Sequence, residues 1–424
     1  MRTFLTLFFV VSCIVIQAQS LEECRQLARD HYPEIKKYNL IDASEQYTLS
    51  NATRSWLPQV VLSGQATYQS ATPTYPEAFK SILTANGMDM SGIRNDQYKL
   101  AVDVTQNIWD GGKLKANRAV AEADATEQRS QADVALYDLQ SRVDNLFFSI
   151  LLLDERLSQT NTLIEVLESN LNRMRTYYKN GVVRQADVDL VEAELLCAKQ
   201  TLGQVTAMRM NYRTMLELFI GKSLLADTLE RPQIPEIAAR NVERPELSMF
   251  AAQKRKLEAQ QKALNSSVVP CFYAFAQGYY GYPGLDMFKS MISNDWTFNA
   301  IVGVRMNWNI GAFYLKQNNF ETLEIAKQKI ALQEEVFLFN SHLQIVQQDG
   351  EVVRLQKALE DDNRIVELRR SVRLAEESKL ANGVIDATDL LKTISKETEA
   401  MLNKSTHEIE LLQAVYKLKT ILNQ

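Results

Sequence analysis

The spacing of apolar residues divides the chain into very long helices and short strands. Over residues 112–179 and 312–381, apolar positions recur at intervals of three and four, which is typical of packed or coiled-coil helices. At 1.5 Å per residue, each of these helices would be about 100 Å long. The pattern predicts a shorter helix after each of them, over about 185–220 and about 386–423. Helices about 100 Å long are too long to fit inside an ordinary globular core.

Four segments instead alternate with a period of two, over about 59–69, 97–107, 271–281 and 296–308. Each is about ten residues long, which is the length of a tilted strand that crosses a bilayer. Tyrosine and tryptophan cluster at both ends of these segments, as in the aromatic girdles of a transmembrane barrel. Alternation alone fits a soluble antiparallel sheet equally well. The aromatic ends and the leader described below favour the membrane.

Four membrane strands cannot stand alone, because an open edge leaves backbone groups unpaired in lipid. Bacterial barrels have an even number of strands, from eight upward. We therefore expect the chain to oligomerise, with two copies supplying eight strands or three supplying twelve. The connecting loops, over about 70–96 and 282–295, would face the outside of the cell.

The two halves of the chain repeat one another. In the first half, "VDVTQNIWDGG" precedes the long helix and "YYKNGVVRQAD" follows it; the second half has "VGVRMNWNIGA" and "SKLANGVIDATD" in the same places. We predict a duplication, with a first repeat over 19–220, a linker over 221–241 and a second repeat over 242–424. A helix over about 21–55 would open the first repeat, ending before Pro58.

The first 18 residues have the form of a cleaved secretory signal peptide, with one arginine, an apolar run and Gln-Ala-Gln near the cleavage point. A membrane anchor would need about 20 apolar residues, and this run is shorter. Lipidation at Cys13 is a second alternative, but the residues after Cys13 are still apolar. We therefore expect the mature chain to work outside the cytoplasm.

Composition and motifs exclude several classes of function. The net charge is −5, and no basic run is interleaved with aromatic residues, so nucleic acid is not an expected partner. His31, His342 and His407 are isolated, and no nucleophile motif or phosphate loop is present. We expect no metal, no cofactor and no enzymatic activity.

The order of these elements, the "IWDGG" and "NWNIGA" junctions and the paired Asn-Gly-Val breaks together resemble the TolC-like outer-membrane efflux factors. The resemblance implies a mostly helical fold: a homotrimer whose twelve-stranded barrel lies in the bacterial outer membrane and whose long helical tunnel projects into the periplasm. It further implies a tunnel tip that stays closed until a periplasmic adaptor, or membrane fusion protein, docks and couples it to an inner-membrane pump.

The resemblance places the adaptor contact at the two Asn-Gly-Val breaks, on Gly181, Val182, Gly383 and Val384. A glycine just past a helix end also has a purely structural explanation, because it takes the left-handed conformation at low cost.

The tunnel mouth or gate would comprise Asp389, Asp386, Asp187 and Ile385. Two of these positions depart from the family pattern. Lys392 stands where a second acidic residue is common, and Ile385 replaces an arginine, so Asp187 has no matched partner in the second break. The same aspartates have the spacing of helix caps, and capping is compatible with a role at the mouth.

On the strands, Lys99, Asp103 and Arg305 would line the barrel lumen, and their mixed signs suggest pore lining rather than a selective site. The sequence thus predicts a passive exit duct of a tripartite efflux or type I secretion system, without distinguishing drug, metal or protein cargo. The alternative is a periplasmic coiled-coil scaffold that forms no channel.

Overall fold

A computed structural model describes residues 19–87, 92–224, 229–237, 240–382 and 384–423. The expected signal peptide, including Cys13, lies outside these residues, and so does Gly383. The described chain is mostly helical and contains one four-stranded antiparallel sheet, which confirms the predicted fold class.

The elements follow one another in an order that occurs twice, with a pair of strands before each very long helix. They are α1 Leu21–His31, α2 Lys36–Arg54, β1 Gln59–Tyr68, α3 Glu77–Ala85, β2 Asp96–Trp109, α4 Lys113–Lys179, α5 Gln185–Ile220, α6 Pro245–Ser266, β3 Cys271–Tyr282, α7 Met287–Ile292, β4 Thr297–Asn307, α8 Ala312–Ala381 and α9 Ala387–Leu422.

Two local features differ from the sequence analysis. The single helix expected over 21–55 is interrupted by a 3-10 turn at Pro33–Ile35. Proline has no N–H and disfavours helical backbone in the residue before it, and Tyr32 is indeed extended. The two connections between strands, expected as loops, each contain a short helix, α3 or α7.

The sheet is a meander in the order β1-β2-β3-β4, with every neighbouring pair antiparallel. Because Gln65 pairs with Lys99, Lys99 with Gly281, and Gly281 with Thr297, the odd-numbered residues of these strands share one face. That face carries Lys99, Asp103 and Arg305. The other face is mainly apolar and largely exposed, as at Val60, Leu62, Val102, Val302 and Val304.

The fold divides into two compact units, each of which draws on both repeats. The helical unit comprises the described parts of Met1–Tyr38, Ser130–Ser248 and Gln333–Gln424. The sheet unit comprises the described parts of Asn39–Arg129 and Met249–Leu332.

The core of the helical unit brings together α1, α4, α5 and α9. Phe147 and Phe148 of α4 are fully buried there, with their rings edge to face, and Cys24 and Leu216 pack in the same cluster. Burial raises the pKa of the Cys24 thiol to about 12. Cys24 is therefore a packing residue with an unreactive thiol.

An ion pair at the edge of this core ties α1 to α4. The Nε and Nη2 atoms of Arg25 donate to the two carboxylate oxygens of Asp144, each at 2.7 Å. Both side chains are only 10% exposed. The Arg25 guanidinium also lies over the ring of Tyr416 of α9, with 5.6 Å between Cζ and the ring centroid. Three helices therefore meet at one guanidinium.

The end of α4 explains the first Asn-Gly-Val break. Gly181 has a φ of +73°, which is left-handed. The Gly181 N–H donates a hydrogen bond to Tyr178 O, and the Val182 N–H donates one to Tyr177 O. Both distances are 2.9 Å, and the pair forms a Schellman motif. The end of α8 has the bond equivalent to that of Val182: the Val384 N–H donates to Lys379 O, five residues earlier, at 3.0 Å. The two breaks thus share a way of ending a helix.

We predict that Arg25→Met lowers the free energy of unfolding by about 3–5 kcal/mol, because Asp144 is left as a buried charge without a partner. The double variant Arg25→Met/Asp144→Leu should recover most of the loss. Thermal denaturation in detergent, followed by circular dichroism, measures both. A double variant as unstable as the single one would contradict this account of the pair.

Gly181→Ala should destabilise the first turn by roughly 1–2 kcal/mol, since a side chain disfavours left-handed backbone. Gly203→Ala is the matched control. Gly203 lies inside α5 with open space around the position of an added Cβ, so alanine should favour the helix by roughly 0.5–1 kcal/mol. Hydrogen exchange of peptides covering each glycine should show faster exchange at 181 and slower exchange at 203. The same direction of change at positions 181 and 203 would refute the account of Gly181 as a left-handed helix end.

Candidate functional site

The turn between α4 and α5 holds Asp187 in a local network. The Asp187 side chain is buried and accepts a hydrogen bond from Arg184 N at 2.9 Å, with the Arg184 Nε at 3.4 Å. Burial acts to raise the pKa of this carboxyl, but the bonds from Arg184 outweigh it, so the pKa is lowered. The resemblance left Asp187 without a matched partner, and Arg184 is the local partner that it missed.

The turn between α8 and α9 exposes a different carboxylate. Asp386 is the N-cap of α9, and its Oδ1 accepts from Asp389 N at 3.0 Å. The carboxylate of Asp389 is half exposed and lies 3.4 Å from the Lys392 ammonium. Lys392 therefore partly compensates Asp389, although such a surface pair contributes little to stability.

Ile385 joins an apolar cluster shared by both hairpins, which we call the tip cluster. It consists of Ile164, Leu167, Leu171, Met174, Val188, Val191, Leu195, Ala198, Leu380, Ala387, Leu390, Leu391 and Ile394. Val183 from the first turn and Ile385 from the second are partly buried against it. The structure therefore packs Ile385 on an apolar surface common to all four helices, where the family pattern has a polar link.

The residues expected to contact an adaptor are accessible in this chain. Val182 is 58% exposed and Val384 is 69% exposed. Both follow the last turn of a long helix, and Gly181 beside Val182 is also exposed. The fourth expected residue, Gly383, lies outside the described residues.

On the charged face of the sheet, Lys99 and Asp103 are joined through an amide. The Lys99 ammonium donates to Gln277 Oε1 at 2.8 Å, and Gln277 Nε2 donates to Asp103 Oδ1. Ser63 Oγ lies 3.5 Å from the other Asp103 oxygen. Gln277 was missed in the sequence analysis, because an amide in an aromatic-rich strand gives no signal of the charges beside it.

Arg305 is separate from this network. Its guanidinium carbon lies 4.8 Å from the ring centroid of Phe275, and the side chain is not joined to a carboxylate within 4 Å among the described residues. The three lumen residues expected from the sequence do share one face, but only Lys99 and Asp103 are brought together.

Two further observations concern the described residues alone. No group of three or more His, Cys, Asp and Glu side chains is arranged to hold a metal ion. No helix in this part of the chain is both long and apolar enough to cross a bilayer.

Comparison with known proteins supports the sequence resemblance. Residues 24–222, most of the first repeat, match the family model described as outer membrane efflux protein. No curated protein sequence matches the chain.

Solved outer-membrane channels share the fold over almost the whole chain. The outer membrane protein VceC of Vibrio cholerae is 15% identical, with 95% of this chain and 94% of VceC covered and a TM-score of 0.67. The CmeC channel of Campylobacter jejuni is 12% identical, covering 95% and 85%, with a TM-score of 0.67. The MtrE channel of Neisseria gonorrhoeae, in its open state, is 13% identical, covering 95% and 88%, with a TM-score of 0.68.

The structural overlap establishes the fold, while the family match rests on the sequence of residues 24–222. Both agree with the paired helix ends and the four strands described above. Residues 24–222 therefore match the outer membrane efflux protein family, and the chain as a whole shares the fold of solved outer-membrane channels.

Proposed function

We propose that this chain is the outer-membrane exit duct of a tripartite efflux or type I secretion system, a passive conduit gated at its periplasmic tip. Three copies would place twelve strands in a closed barrel, with the helices forming a tunnel in the periplasm. The main support for the proposal is the structure of the sheet. It has one apolar face, one polar face and two strands, β1 and β4, that each pair on one side only within the described chain.

The sheet has the chemistry of a barrel segment. Large apolar residues on its even-numbered face are exposed, which suits lipid, and polar residues line the opposite face. At one end, the ring of Trp296 stacks on Tyr98 at 5.8 Å between centroids and meets Tyr280 at 5.5 Å. Such clusters occupy the membrane interface. Pairing β1 of one copy with β4 of the next would remove both open edges.

The gate would lie at the two helical turns. The tip cluster holds the hairpins of one chain together by apolar contacts, and Asp187 is already satisfied by Arg184. Ile385 would therefore contribute to the closed state by packing, and Asp389 would supply negative charge at the mouth. An adaptor that contacts the exposed Val182 and Val384 would act on both turns, and an inner-membrane pump would supply the energy.

The alternative, a periplasmic scaffold, predicts a different location and assembly. For the duct, the protein should fractionate with outer membranes and run as a heat-modifiable oligomer in mild detergent. Recovery of the folded protein wholly in the soluble periplasmic fraction would eliminate the duct proposal.

Two neighbouring residues of β1 offer a sharper test. Leu62→Arg places a charge on the apolar face, where it should cost roughly 2–4 kcal/mol near the middle of the bilayer. Ser63→Arg places the same charge on the polar face beside Asp103 and should be tolerated. We expect Leu62→Arg alone to reduce the heat-modifiable oligomer. A scaffold in water would tolerate both, because both positions are exposed in the single chain.

At the mouth, Asp389→Ala should weaken the block of reconstituted channels by multivalent cations, because three carboxylates around an axis would be lost. Lys392→Gln is the control in the opposite direction: it removes the ammonium near Asp389 and should strengthen the block. Single-channel recording measures both. Unchanged block in Asp389→Ala would remove this carboxylate from the mouth.

A further inference from the structure

The charges on the polar face of the sheet do not cancel evenly along the strands. Lys99 and Asp103 compensate each other through Gln277. Arg305 lies opposite Tyr273, whereas Lys99 lies opposite Gly281. Eight residues along β3 separate these two levels, roughly 25 Å at strand spacing. Arg305 therefore carries an uncompensated positive charge at a level of its own.

The surroundings of Arg305 are aromatic and neutral. Phe275 lies beneath its guanidinium, Tyr273 is its cross-strand partner, and the next pair on the same face is Asn307 with Cys271. Just after β2, the two carboxylate oxygens of Asp110 accept backbone hydrogen bonds, one from Gly112 N before α4 at 2.9 Å and one from Leu114 N in its first turn at 2.7 Å. This carboxylate thus already caps a helix.

We propose that Arg305, with Phe275 and Tyr273, forms a step on the aqueous face that favours organic anions, namely carboxylates, sulfates or phosphates carried on an apolar or aromatic body. The inference rests on the proposed duct, in which this face lines the lumen. A guanidinium presents a fork of N–H donors that matches an oxyanion, and it is exposed here. The two rings offer contact area for the body of the molecule.

Assembly would strengthen this effect. Three copies would bring three guanidinium groups to one level of the barrel. A narrow lumen with low-dielectric walls focuses such a potential and raises the local concentration of counter-ions. The mixed signs on this face were expected to make it unselective. Because Lys99 and Asp103 compensate each other, the three Arg305 side chains would instead form a ring of positive charge.

A local chemical probe tests this without depending on whether the helical turns are open or closed. Asn307→Cys places a reporter thiol two residues from Arg305 on the same face, and Gln65→Cys places one opposite Lys99. Cys197 and Cys271 are replaced by serine, while the fully buried Cys24 remains. Each reporter is treated, in the membrane-embedded protein, with an anionic and a cationic methanethiosulfonate. The ratio of the two rates reports the local potential independently of the thiolate fraction.

Arg305→Gln should lower the anion-to-cation rate ratio at position 307 by about fivefold at low ionic strength and about twofold at 0.1 M salt, as expected for one charge about 8 Å away. The ratio at position 65 should change far less at low ionic strength and stay unchanged at 0.1 M salt, because that reporter lies roughly 25 Å from the level of Arg305 and the screening length at 0.1 M is about 10 Å.

Two other outcomes are decisive. If both reporters react and Arg305→Gln leaves the ratio at 307 unchanged, the anion step is refuted and the duct stands. If neither reporter reacts in the membrane but both react after unfolding, this face is not aqueous. The duct proposal then fails, and the anion step fails with it.

Discussion

The pairing of backbone groups at the edges of the sheet is the constraint on which the rest of the structure depends. β1 and β4 each pair on one side only within the described chain, and the apolar face beside them is exposed. In lipid, an unpaired N–H or C=O group costs several kcal/mol, so such a sheet requires another chain at both edges. The match of residues 24–222 to the outer membrane efflux protein family and the fold shared with solved outer-membrane channels fit this requirement.

A second requirement applies where the long helices end, because the backbone groups at a helix end need hydrogen-bond partners. There each long helix must stop and reverse, and the Schellman motif at Gly181 satisfies the last carbonyls without outside partners. Asp187 and Asp386 satisfy the first N–H groups of the returning helices or the turn before them. With these polar groups bonded locally, the contact between hairpins is left to the apolar tip cluster and Ile385.

In the helical turns and on the sheet alike, charged side chains are compensated by near neighbours. Asp187 is paired with Arg184, Asp389 lies near Lys392, and Lys99 reaches Asp103 through Gln277. Residues left outside such pairs are therefore the informative ones. Arg305 is one of them, and it could be recognised only after the partners of Lys99 and Asp103 were known.

The helices and the alternating strands were predictable from the sequence, because periods of 3.6 and 2 follow directly from backbone geometry. The interruption at Pro33 could have been predicted, because proline has no N–H and disfavours helical backbone in the residue before it. The short helices between the strands were missed, since local propensity there is weak. Alternation along the strands also predicted that Lys99, Asp103 and Arg305 share one face, and the strand register agrees. Which charges meet depends on the register between strands, and a one-residue slip would exchange the two faces.

The positions of the turns were likewise predictable from Asn-Gly-Val and the capping aspartates. The side-chain contacts that stabilise the turns were not. Arg184 as the partner of Asp187, and Ile385 as part of an apolar surface, follow from contacts between helices that are distant along the chain or from the geometry of a tight turn. Periodicity is a local property that a sequence carries openly. Side-chain partnership is a property of packing, and only the folded chain decides it.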